Sequence, residues 1–220
     1  MMTNLFSTFD PATSIKMTMN WVSSMACMML MPIPFWNLPN RIEMMVKSVM
    51  MKLHNEFKNL MGKDSKGMTL MTISLFMMIF MNNIMGMLPY IFTSTSHLTF
   101  SMSMALPMWI SLMMFGWINK TNHMFAHMIP TGTPKMLMPF MVIIETISNI
   151  IRPGSLSVRL TANMIAGHLL MSLLGNNMNN KFMPLIIMIQ MMLMMFESAV
   201  ALIQAYVFSV LSTLYSSEIM

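Results

Sequence analysis

Four stretches of this chain are too long and too apolar for the core of a water-soluble domain. Residues 68–88 and 98–118 are each about one membrane span without a single charge, and 136–175 and 183–215 are longer still. A helix of about 20 apolar residues crosses the hydrocarbon layer of roughly 30 Å, and in lipid each backbone polar group must be satisfied inside its own helix. The chain is therefore predicted to be an all-α integral membrane protein. Composition agrees: 56% of residues are hydrophobic and 9% charged, against roughly 25% charged in soluble domains.

A further apolar run, 17–36, has the length of one span and carries Trp21 and Trp36 near its ends, where interfacial aromatics sit. Pro32, Pro34 and Pro39 stop it, and Asn40 with Glu43 makes a capping box for the next helix. From there Ile42, Met45, Val46, Val49, Leu53, Phe57, Leu60 and Met61 share one face, while Arg41, Lys47, Ser48, Lys52, Asn55 and Lys58 lie opposite. The spacing predicts an amphipathic helix over 41–61 that lies on the membrane surface. The chain thus reads as about five transmembrane helices plus one surface helix.

A short uncharged link around Pro89 and Tyr90 joins the spans 68–88 and 98–118, and Pro107 should kink the second. The following loop holds Lys120, His123, His127 and Lys135. It is basic like the surface helix two crossings earlier. By the positive-inside bias, 40–67, 119–135 and the C-terminus share the inner side and the N-terminus faces outward. At about 1.5 Å per residue, 136–175 and 183–215 each overrun the hydrocarbon layer. They must tilt strongly, or the first must break at Pro153 and Gly154, and either way they form a long hairpin around the polar turn GNNMNNK. No internal repeat or linker divides the sequence, so 1–220 reads as one membrane domain.

Several function classes find no support. The net charge of +5 comes from basic residues placed between apolar runs, where they act as topology signals and lipid-headgroup contacts, and no nucleic-acid motif accompanies them. Cys27 is the single cysteine, so there is neither a disulfide framework nor a CxxC metal site, and it reads as a small buried hydrophobe. His123 and His127 lack the carboxylate or cysteine company of metal ligands. With no phosphate-cradling glycine loop and no nucleophile constellation, neither a cofactor nor bound ATP is expected. The N-terminus lacks a basic region before a short apolar core and a small-residue cleavage site, so the chain is expected to insert as it stands.

Few ionisable groups remain inside the apolar segments: Glu145, Arg152, Arg159, His168 and Glu197. Each charge in the bilayer costs on the order of 3 kcal/mol, and such groups mark ion or proton paths by default. Glu145, Arg152 and Arg159 are spaced by seven and share a helix face, with Asn163 one turn beyond; Gln190, Glu197 and Gln204 are spaced likewise. Two polar stripes on neighbouring helices fit either a conduction path or internal glue that holds a bundle together.

The segment IETISNIIRPGSLSVRLTANMIAGH, 144–168, closely resembles the signature of F-type ATP synthase subunit a, and FESAVALIQAYVFSVLSTLYSSE, 196–218, is similar to that family's final helix. The opening MTNLFSTFDP and the stretch NNIMGMLPYIFTSTSHL resemble its mitochondrial branch. A mitochondrial coding bias would also account for 40 methionines, whose spread along the chain does not suit the alternative of a Met-rich adaptable binding surface. The resemblance implies a stator subunit of the mitochondrial inner membrane, whose two long helices wrap a rotating ring of small hairpin subunits, each bearing one carboxylate. It implies that Arg159 is the family's essential arginine, with Asn163 and Gln204 as polar neighbours. His168 and Glu197 take the positions of the outer half-channel and Glu145 that of the matrix half-channel. Arg152 inherits no role and is expected to pair with Glu145 or reach lipid phosphates. Other membrane-sector subunits and a peripheral stalk are implied partners, with nucleotide chemistry on partner subunits. The alternatives are a proton-coupled transporter, which would show inverted repeats and broken helices, and a scaffold, in which the buried charges would pair with one another.

Overall fold

The computed structural model describes residues 5–14, 17–32, 38–62, 67–88, 90–129, 132–176 and 183–219, and every regular element among them is helical apart from one bridge between Ser14 and Met17. The α-helices are α1 Val22–Met29, α2 Arg41–Met61, α3 Met68–Gly86, α4 Leu98–Asn119, α5 Thr121–His127, α6 Met138–Asn176 and α7 Met183–Ile219. Short 3-10 turns occupy Leu5–Phe9, Met19–Trp21 and Ser94–Ser96. Helices α3, α4, α6 and α7 are long and apolar enough to cross a membrane.

The first apolar run holds a short helix among its described residues. Among the described residues it is α-helical only over the 8 residues of α1, about 12 Å at the usual rise. Pro32 supplies the reason. A proline lacks the N–H that would continue the helix and disfavours helical geometry at the residue before it. Trp36 and Pro34 lie outside the described residues, as do Pro89 and most of the GNNMNNK turn. The basic segment after α4 also differs from a plain loop. It contains α5, whose His123 and His127 rings stand one turn apart at 4.9 Å, while Met124 is buried beneath α4.

Helix α2 begins where its capping box places it, with the Asn40 amide donating to Glu43 Oε2 at 2.9 Å. Leu53, Phe57 and Met61 are buried, and Val46 and Met50 pack against the same core, whereas Ile42, Met45 and Val49 remain exposed apolar surface. The predicted apolar face is therefore shared between α3 and α7 on one edge and open surface on the other. Helix α3 turns Thr69, Thr72, Phe76, Ile79 and Asn83 inward at three- and four-residue spacing. Against it lie Ala201, Ala205, Phe208, Ser212 and Ser216 of α7. Small side chains let the two backbones approach closely, and the serine hydroxyls stay satisfied by donating to carbonyls three residues back.

Of the two arrangements open to the penultimate helix, the structure takes the unbroken one. Helix α6 runs for 39 residues through Pro153, about 58 Å against a hydrocarbon layer of roughly 30 Å, so it must tilt or curve to remain in the bilayer. Proline costs α6 one backbone hydrogen bond. Its ring is buried beside Ala105, Leu156 and Phe208, where packing against α4 and α7 offsets that loss. Helix α4 likewise continues through Pro107.

Candidate functional site

Two pairs of contacts fix how α6 and α7 meet. Arg152 lies beside Glu218 near the end of α7, and Gly167 lies against Glu197 nearer its start, so the helices are antiparallel with their polar residues facing one another. The site has two clusters, separated along α6 by Arg159.

At the end nearer the start of α6, Arg152 holds both flanks. Its guanidinium reaches Glu218 Oε2 at 2.7 Å and Glu145 Oε1 at 3.6 Å, and lies 5.1 Å from the centre of the Tyr215 ring. The spacing of seven from Glu145 accounts for the first pair. Glu218 and Tyr215 are not singled out by the sequence, because they sit at the far end of another helix. The planar fork of arginine serves two carboxylates and an aromatic face at once, joining the two helices at this end of the hairpin.

At the other end, Glu197 packs on α6 where residue 167 has no side chain. A Cβ added at Gly167 would overlap the Glu197 carboxylate, with its Cδ only 2.7 Å away. His168 follows directly. Glu197 Oε1 and His168 Nε2 are both buried and have no hydrogen-bond partner among the described residues. Asn83 Oδ1, Thr95 Oγ1, His97 Nε2 and Thr133 Oγ1 share this condition, and Glu197 and His168 are the ionisable pair among them that lies on the facing helices α6 and α7.

A polar cluster next to this end is also missed by sequence reasoning. Asn83, fully buried on α3, donates from Nδ2 to the Ala201 carbonyl at 3.4 Å, one turn past Glu197. Ser94 donates to Asn82 Oδ1 at 3.2 Å and Thr93 to Ser96 at 3.1 Å. Two asparagines inside an apolar run are the available signal. They read as incidental until the 3-10 turn Ser94–Ser96 packs on both α3 and α6.

Arg159 stands apart. It is exposed, and among the described residues it makes no ion pair or hydrogen bond. Ser155, Ala162 and Ala166 extend the exposed face on either side of it, so the guanidinium projects from a surface of small side chains. Asn163, one turn on, and Gln204 of α7 are half-buried. From Glu145 to Arg159 is about 21 Å along the helix, and from Arg159 to His168 about 14 Å. Among the described residues, the predicted residues thus separate into a paired cluster near the start of α6, a lone outward arginine and a second cluster at Glu197 and His168 with unpaired atoms.

A family model described as "ATP synthase A chain" matches residues 14–217. The chain is similar to ATP synthase subunit a of Locusta migratoria, 59% identical over 224 residues and covering 100% of both chains. It is 57% identical to the same subunit of Anopheles gambiae over 225 residues and 56% to that of Drosophila melanogaster over 223, again over 100% of each chain.

Proposed function

The chain belongs to the ATP synthase A chain family, and from that membership we propose that α6 and α7 form the stator face along which a ring of carboxylate-bearing subunits turns. The family is the proton-translocating subunit of the ATP synthase membrane sector, so the chain is a multi-pass protein of the mitochondrial inner membrane that works within a multisubunit complex. It is not itself the nucleotide-processing catalyst. A proton-coupled transporter is not favoured by this membership.

The observation that carries the proposal is the contrast between two arginines seven residues apart. Arg152 is held by two carboxylates of its own chain, whereas among the described residues Arg159 has none and faces outward from the same helix. A scaffold would pair both. A guanidinium keeps its charge at any attainable pH, so it cannot relay a proton, yet it holds a passing carboxylate in the ionised form. A proton that enters by His168 and Glu197 neutralises a ring carboxylate, which then leaves Arg159 and can move through lipid at lower cost. After a turn of the ring the carboxyl meets the matrix-side path at Glu145 and gives up its proton. Asn163 and Gln204 line the approach to Arg159 as neutral donors and acceptors. Each charge that crosses delivers about 2.3 kcal/mol per 100 mV, and the offset of the two paths along α6 converts it into rotation. The ring and a peripheral stalk are the proposed partners, with the α2 and α5 ends facing the matrix.

Cysteine cross-linking in the assembled complex tests the assignment of this face. Cysteines at the exposed Ser155 or Ala162 should cross-link to cysteines beside the ring carboxylate, while cysteines at the buried Leu156 or Leu160 should not. Cross-links from the buried pair alone would overturn the proposed face.

A further inference from the structure

The outer cluster has a neighbour from the opposite end of the chain. The 3-10 turn Leu5–Phe9 packs on α6, and Phe9 stands edge-on to His168, with ring centroids 6.4 Å apart and planes at 87°. Local bonds place Phe9 firmly. Thr8 Oγ1 donates to the Leu5 carbonyl at 3.0 Å inside the turn. The residue after Phe9 closes a second turn, as the Ala12 amide donates to Asp10 Oδ1 at 3.1 Å. Asn20 Nδ2 donates to the Asp10 carbonyl at 3.2 Å and ties both turns to the segment that enters α1.

An imidazole that carries protons has to present one nitrogen in a fixed direction. No hydrogen bond among the described residues does this for His168 Nε2, and Gly167, its neighbour in sequence, offers no side chain to brace it. The ring at right angles is the contact that can. Perpendicular aromatic pairs are favoured because the positive edge of one ring meets the negative face of the other.

We propose that Phe9 is a positioning residue for proton entry, holding the His168 imidazole by its edge-on contact so that Nε2 stays turned into the protein interior. The inference rests on the reading of His168 as part of the outer half-channel. A phenylalanine that only covered an apolar patch would act through its volume, and a leucine would replace it. A phenylalanine that orients the imidazole acts through its ring, and only another ring replaces it.

The experiment measures proton-driven ATP synthesis by the assembled complex in vesicles, normalised to the amount of intact complex. Phe9→Leu should lower the rate about 2- to 10-fold, the range expected from losing one aromatic pair, and Phe9→Tyr should restore it. In a His168→Gln background, Phe9→Leu should add no further loss, because the residue it orients is gone. Phe9→Val serves in the same cycle if the leucine variant assembles poorly. A wild-type rate in Phe9→Leu, or an equal loss with and without His168, overturns the positioning role while leaving the half-channel intact. A wild-type rate in His168→Gln instead overturns the half-channel reading, and the inference with it.

Discussion

Glu197 shows how much of the site is set by single atoms. Its carboxylate fits against α6 only because residue 167 is glycine, and there, one residue before His168, Oε1 is buried with no partner among the described residues. Glu197→Gln keeps the shape and removes the ionisable group, so proton conduction through reconstituted membrane sectors should fall about 10-fold or more with the complex assembled. Gly167→Ala should act by displacement. The added methyl meets the carboxylate, overpacking costs about 1–3 kcal/mol, and conduction should fall although no titratable group is lost. Normal conduction in both variants would make Glu197 a structural contact. Glu145, Arg152, Arg159, His168 and Glu197 stand out in the sequence because an ionisable residue in an apolar run is conspicuous. Gly167, Phe9 and Glu218 are not, since each matters through a partner distant in the chain, and no local pattern marks such a pairing.

Among the elements, periodicity and length locate α2, α3, α4, α6 and α7, because a long apolar or amphipathic run leaves few alternatives in or on a bilayer. They are silent on how α6 resolves its excess length. Pro153 and Gly154 allow a break, and burial of the proline ring between neighbouring helices keeps the helix whole. The short elements depend on context. Helix α1 ends three residues before Pro32, and α5 forms after α4 because Met124 tucks under Gly116, while Phe125 meets Trp117 edge-on with centroids 5.0 Å apart. A Cβ at Gly116 would lie 2.7 Å from Ile219 Cγ2 and 3.0 Å from Met124 Sδ. Gly116→Val should therefore loosen the junction of α4, α5 and the end of α7 at a cost of about 1–3 kcal/mol. A lowered thermal stability of the purified complex is the expected result, and an unchanged one would show that the junction relaxes freely.

At the scale of the whole molecule, one chain divides its charges by position. Near the start of α6, Arg152 ties the α6–α7 hairpin through Glu145 and Glu218, at the other end Glu197 Oε1 and His168 Nε2 find no partner among the described residues, and between them Arg159 faces outward. A stator needs this division: two paths that do not meet, and a permanent charge that keeps them apart while a moving carboxylate passes. The most direct test is proton-driven ATP synthesis by assembled complexes carrying Arg159→Ala or Arg159→Lys. On the proposed mechanism, alanine removes both the barrier and the partner of the ring carboxylate. Lysine keeps a charge but offers a single ammonium that deprotonates readily when desolvated and cannot match the planar fork. Both variants should assemble and make no ATP from a proton gradient, with a passive proton leak in the alanine variant, whereas near-normal synthesis by an assembled Arg159→Ala complex would contradict the mechanism.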